Sequence, residues 1–209
     1  MTILVPRGAE AAAVRRAGTA ARIVELPAGA AAASALPQFE DGETAVVLGL
    51  CGALRRLEAD DVAIYARVAD AAGTSVLDRP LVDALAAALP SALVVNACTT
   101  DRVVTAVAAR TALARRFDAD VVDMEGVQLA AALSARGVRF AMVRVVSDGV
   151  ARDLPPIGDA IDAAGRVRPL AIALAFARAP RAAFAFVRDV RRALTTLTDT
   201  ARVVGELDA

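Results

Sequence analysis

Two short stretches concentrate the residues able to do acid–base chemistry. Val121-Val122-Asp123-Met124-Glu125-Gly126 ends an apolar run with two carboxylates and a thioether. About twenty residues on, Arg144-Val145-Val146-Ser147-Asp148-Gly149 repeats the arrangement with a hydroxyl and one carboxylate. An acid at the exit of a buried strand is well placed for proton transfer to a bound molecule. Each also has a purely local explanation. Asp123 and Glu125 would sit near a helix N-terminus, where the dipole favours them, and Asp148 before Gly149 suits a turn or cap. Arg144 falls in mid-strand, where a charge is seldom buried alone, so an ion pair with Asp123 or Glu125 is expected.

Other candidates also follow apolar runs. Thr44 to Leu48 leads into Gly49-Leu50-Cys51-Gly52, read as a buried strand entering a tight loop where backbone can approach a ligand. Pro6-Arg7-Gly8-Ala9-Glu10 places an arginine and an acid just after the first strand. Asp101, in Thr99-Thr100-Asp101, suits a polar pocket wall or, equally, a helix cap before Val103.

Composition removes most other chemistries. The chain has no histidine and its sequence contains no lysine, which excludes histidine triads, histidine-ligated metals, Schiff bases and the lysine of a nucleotide phosphate loop. Lys+Arg and Asp+Glu both total 24, so no broad basic face for nucleic acid is implied. Cys51 and Cys98 are too few and too far apart for a zinc ribbon or redox pair, and read as buried thiols. No metal and no cofactor are expected. The N-terminus does not read as a signal peptide, and a cytoplasmic location is expected. The apolar stretch Pro169 to Val187 is broken by Arg178, Pro180 and Arg181, short of the roughly 20 apolar residues a membrane span needs.

These candidates must be positioned by a regular framework. Ile3–Val5, Arg22–Leu26, Thr44–Leu48, Val62–Val68, Leu93–Val95, Val121–Met124 and Phe140–Val146 read as short strands rich in Val and Ile. Between them, Ala9–Ala17, Arg102–Arg115 and Val127–Ala135 carry helical spacing. The alternation predicts an α/β fold: residues 1–209 as a single domain with a mixed, mostly parallel central β-sheet flanked by helices in three layers. Asp153-Leu154-Pro155-Pro156 signals a loop, and a helical C-terminal tail is expected over about residues 169–198.

Asp123-Met124-Glu125-Gly126 followed by Val143-Arg144-Val145-Val146-Ser147-Asp148 resembles the signature of methylthioadenosine/S-adenosylhomocysteine nucleosidases and bacterial purine nucleoside phosphorylases. Gly49-Leu50-Cys51-Gly52-Ala53-Leu54, with Leu57 and Asp61-Val62 following, resembles a third segment of that nucleoside phosphorylase/nucleosidase superfamily. There the glycine before the aspartate is replaced by Asp60. Asp153-Leu154-Pro155-Pro156, Gly165-Arg166-Val167 and Ala179-Pro180 resemble the tail of the hopanoid-associated phosphorylases, which act on adenosylhopane.

The resemblance implies cleavage of the N-glycosidic bond of a purine nucleoside with release of adenine. It assigns Asp148 to protonating or hydrogen-bonding purine N7, Glu125 to the ribose hydroxyls, and Met124 to an apolar floor under the sugar. It implies substrate contacts from Gly49, Cys51, Gly52, Asp101 and Ser147, and makes Glu10 the base that activates water. Aligning on Glu10 puts Pro6 where the family has glycine; aligning on Gly8 would put Ala12 at the base position. The bacterial phosphorylases hold phosphate with an arginine and a serine where this chain has Val47 and Leu50, which favours hydrolysis, although Arg7 could reach a phosphate from another side. A purine nucleoside phosphorylase and a non-catalytic nucleoside-binding module are the alternatives. The resemblance also implies a homodimer. The tail, with Arg178, Arg181, Arg188, Arg191 and Arg192, reads as packing on the sheet or a dimer partner, with peripheral contact to anionic lipid as the other reading.

Overall fold

The computed structural model describes residues 1–160 and 168–207; Gly165-Arg166-Val167 lies outside them. In chain order the elements are β1 (Thr2–Pro6), α1 (Ala9–Arg16), β2 (Arg22–Leu26), β3 (Thr44–Ala53), β4 (Val62–Ala69) and β5 (Thr74–Val76). Then come α2 (Arg79–Ala88), β6 (Leu93–Thr99), α3 (Val107–Phe117), β7 (Val121–Asp123), α4 (Gly126–Ser134), β8 (Arg139–Asp148), α5 (Pro169–Arg178) and α6 (Pro180–Gly205). Short 3-10 turns cover Gly29–Ala35 and Gly158–Ala160.

The architecture is α/β, with a mixed, mostly parallel sheet flanked by helices. Its strands run β2-β1-β3-β7-β6-β4-β5, and β8 pairs both β3 and β4. β3, β8, β4, β6 and β7 therefore close into a ring, with β1 and β2 continuing the sheet beyond β3 and β5 beyond β4. The β1–β2, β1–β3, β3–β8, β4–β6 and β6–β7 pairs are parallel; β3–β7, β4–β5 and β4–β8 are antiparallel. Buried strands such as β1 and the first half of β3 read as continuous apolar runs because both faces are covered.

Two local expectations are corrected. Gly49-Leu50-Cys51-Gly52 is not a tight loop but the second half of β3, paired with β8 through Gly52 and Asp148 with a register shift between Cys51 and Gly52. Glycine within a strand marks a bulge or a close approach as often as a turn, and here it marks both. The helix expected over Arg102–Arg115 begins only at Val107, where the Val107 N–H donates to Asp153 Oδ1 at 2.7 Å from a distant loop. α2 is a helix beyond those expected: Asp78 accepts from the Leu81 N–H at 2.9 Å as its N-cap and Pro80 opens its first turn.

α6 runs well past Leu197, packing Ala193, Leu197, Ala201 and Val204 into the core it shares with β8, β3 and α1. It also secures the one departure from the family pattern near β4. Asp60 has φ of 94°, in the region glycine tolerates and other residues rarely adopt. Its N–H donates to the Val146 carbonyl at 2.9 Å, its carboxylate accepts from the Thr196 hydroxyl, and Arg192 Nη2 lies 3.6 Å away. Contacts from α6 thus offset a backbone strain of about 1–3 kcal/mol.

Asp60→Ala keeps the strain and loses the contacts, so it should lower stability by about 1–2 kcal/mol, whereas Asp60→Gly, which also relieves the strain, should lose less. Denaturant unfolding of the two variants checks this; equal losses would show that the turn is unstrained.

Candidate active site

The parallel strands β1, β3 and β8 end on the same side, so the segments following β1 and the last residues of β3 and β8 converge, as ligand sites do in sheets of this kind. β7 is short because Asp123 turns the chain directly into α4. Asp123 Oδ1 accepts from the Thr99 hydroxyl at 2.7 Å and from the Gly126 N–H at 3.1 Å, and Thr99 Oγ1 accepts from the Val127 N–H at 3.0 Å. That local network aims Met124 and Glu125 into a cavity of about 480 Å³.

The floor of the cavity is an ionic cluster around Arg144. Its side chain is fully buried, with Nη2 2.8 Å from Glu125 Oε1 and 3.7 Å from Asp123 Oδ2, so the expected pairing involves both acids. Burial disfavours the Arg144 charge, but Glu125 and Asp123 outweigh it and keep the guanidinium protonated. Glu10, on the first turn of α1, reaches across to accept the Leu50 N–H at 2.7 Å. Gly49 makes this meeting sterically feasible: a Cβ there would stand 2.2 Å from Arg144 Nη1 and 2.8 Å from Glu10 Oε1. Burial, reinforced by the Glu125 charge and opposed by Arg144, raises the Glu10 carboxyl to about 7. Glu125 is also raised, by burial first, with Arg144 pulling down and Asp123 pushing up.

Asp148 closes the other side. Ser147 Oγ lies 2.6 Å from Asp148 Oδ1 and 3.1 Å from the Cys51 carbonyl, while Arg110 Nη2 donates to Asp148 Oδ2 at 2.5 Å. Arg110 is itself locked, donating through Nε to the Val104 carbonyl at 2.9 Å and through Nη1 to the Gly149 carbonyl at 3.1 Å. Burial raises the Asp148 carboxyl, and Arg110 and Ser147 work against that rise. A carboxyl raised by burial and held in direction by two donors suits proton transfer to a bound molecule.

Of the residues singled out in sequence, Glu10, Arg7, Cys51, Gly52, Met124, Glu125, Ser147 and Asp148 line the one cavity. Gly49 lies beneath it as the contact point of Arg144 and Glu10. Asp101 does not line it: the residue is exposed and its carboxylate accepts from Arg102 Nε at 3.2 Å. Cys51 and Cys98 are free, buried thiols, and burial pushes both away from the thiolate. Among the described residues no group of three or more Cys, Asp or Glu could hold a metal ion. Arg110 was missed. Its only sequence signal is its place four residues before Ala114 on the inward stripe of α3, a position where an arginine needs a partner.

The family model of the phosphorylase superfamily matches residues 26–178, well over half of the chain. The chain belongs to the phosphorylase superfamily. Solved structures agree on the fold of this superfamily member. It is similar to a 5′-methylthioadenosine/S-adenosyl homocysteine nucleosidase from Campylobacter jejuni, with a TM-score of 0.69 and 14% identity over 99% of both chains. A nucleosidase of the same name from Neisseria meningitidis, complexed with methylthio-immucillin-A, gives 0.70 and 14% over 99% of both. The futalosine hydrolase of Helicobacter pylori gives 0.69 and 14% over 99% of this chain and 97% of its own. No curated protein matches the chain in sequence. Glu10 and Arg7 precede the matched segment.

Gly49→Ala should force Arg144 and Glu10 apart, costing about 1–3 kcal/mol in an unfolding measurement; an unchanged stability would show that the cluster has slack. Glu10 is raised from 4.5 to about 7 in the folded chain. Below pH 4.5 the carboxyl is protonated folded and unfolded alike. Between the two values only the unfolded chain ionises, so stability falls with rising pH and the loss is complete above 7. Glu10→Gln should therefore gain up to about 3 kcal/mol at pH 8 and nothing at pH 4. Unfolding curves at both pH values test this, and an equal effect at the two would remove the assignment.

Proposed function

We propose that the chain hydrolyses the N-glycosidic bond of a purine nucleoside, releasing adenine from an adenosine derivative. The observation that carries this reading is the convergence of Glu10, Glu125 and Asp148 on one cavity, each carboxyl pushed towards its protonated form by burial. Water attacks the anomeric carbon as the bond to the base breaks. The bonding electrons move into the purine, and N7 takes the proton that Asp148 carries, so that the base leaves neutral. Glu10, ionised, takes the proton from the attacking water, and solvent returns it to Asp148. Glu125 accepts hydrogen bonds from the ribose hydroxyls, and its charge sits beside a sugar that becomes positive in the transition state. Met124 supplies the apolar surface under the ring. Cys51, Gly52 and Ser147 shape the wall next to Asp148.

Much of the remaining wall is apolar, although Thr100 and Arg102 also line it. Val104, Leu154, Ile157, Phe186 and Val190 would receive an apolar 5′ substituent, which supports adenosylhopane among the substrates. A cytoplasmic homodimer, with water as the only co-reactant, belongs to the same reading. Phosphorolysis is the second reading, and Arg7 favours it: its exposed side chain stands at the cavity with no ion pair among the described residues. Leu50 at the cavity and buried Val47 offer a phosphate nothing, which keeps hydrolysis first.

Chromatography of free adenine from adenosine, methylthioadenosine and adenosylhopane, with and without phosphate, separates the readings. Phosphate-independent release is expected. Release only with phosphate would make the protein a phosphorylase, and no release from any of them would leave a binding module. Asp148→Asn should lower turnover by about 10²–10⁴-fold with nucleoside binding retained, and kcat/KM of the parent protein should rise with pH through about 7 as Glu10 ionises.

A further inference from the structure

The α5–α6 helix pair has an inner face that is accounted for and an outer face that is not. Inside, Ala175 and Phe176 pack with Ile157 and Phe186, whose rings or side chains also form the cavity wall. Outside, Leu170 is 88% exposed, Leu174 51% and Phe184 75%. Their placement is regular. Leu170, Leu174 and Arg178 recur every four residues along α5, an apolar stripe that ends in arginine, and on α6 the exposed Phe184 stands between Arg181 and Arg188 at three and four residues.

We propose that this outer face docks on the surface of an anionic phospholipid bilayer, with Leu170, Leu174 and Phe184 entering the headgroup region. Charge decides for this partner. From residue 168 to 188 the chain carries Arg168, Arg178, Arg181 and Arg188 and no acidic residue. All four are exposed, and only Arg188 has an ion pair among the described residues, with Asp189. A second copy of the chain related by a two-fold axis would bring this arginine face against itself, with like charges opposed. A bilayer rich in anionic lipid supplies the missing negative charge and a medium for the exposed apolar side chains. No helix among the described residues is long and apolar enough to cross the membrane, so the contact is peripheral. Because Phe186 and Ile157 back this face, docking places the cavity wall next to the lipid.

The test is vesicle flotation, which reads binding and not catalysis, so it stands or falls apart from the proposed reaction. The full chain should float with phosphatidylglycerol-containing vesicles, stay behind with pure phosphatidylcholine, and be released by high salt. Arg178→Ala and Arg181→Ala should each weaken binding about fivefold, and Leu174→Ser with Phe184→Ser should abolish flotation while circular dichroism and the sedimentation coefficient stay unchanged. Absence of flotation at low salt, or flotation unaffected by these substitutions, would overturn the proposal. Conversion of a dimer to a monomer by the same substitutions would also overturn it, identifying the face as a subunit interface.

Discussion

Arg144 is a guanidinium placed in the middle of a strand with no access to water, and the rest of the site depends on how that charge is tolerated. A buried charge without a partner is among the costliest features a core can hold, and removing one partner of such a pair typically costs about 3–5 kcal/mol. The chain meets this demand with Glu125 and Asp123 from the β7–α4 turn, which pair with it, while Glu10 from α1 adds a weaker attraction. Only a glycine at position 49 leaves room for them. The same crowding of carboxylates in a desolvated place holds Glu10 near neutrality. Structural need and chemical capability arise here from one interaction.

Asp148 is managed differently. Its neighbours Ser147 and Arg110 hold both carboxylate oxygens, and Arg110 is anchored in turn by two backbone carbonyls. The acid is thereby fixed in direction at the end of β8, opposite the Arg144 cluster. In the proposed reaction this rigidity keeps the acid aligned with the base it protonates. The cavity between the two charged groups is closed on its third side by apolar residues, so the molecule it takes should be polar at one end and apolar at the other.

The strand ends, the acids and their order were legible in the sequence because each is a local pattern. An apolar run followed by Asp123-Met124-Glu125 or by Ser147-Asp148 is visible without knowing what lies opposite. Gly49 and Gly52 were equally visible but were read as a turn, since a glycine's demand for space looks the same in one dimension whether the chain bends or a neighbour intrudes. Asp101 illustrates the reverse error: a polar residue after a strand, close to the cavity in sequence, yet directed to solvent beside Arg102.

What the sequence determined by itself was the alternation of strands and helices, and the chemistry available to a chain with no histidine and no lysine: carboxylates and arginines. What only the tertiary structure decided was which of these meet. Glu10 reaches the Leu50 N–H across 40 positions, and Arg110 meets Asp148 across 38. The closed ring of β3, β8, β4, β6 and β7 and the outer face of α5 and α6 belong to the same class. The reason is physical. Periodicity reports which way a side chain faces relative to its own element, while burial, pairing and exposure depend on what the other elements bring to that face.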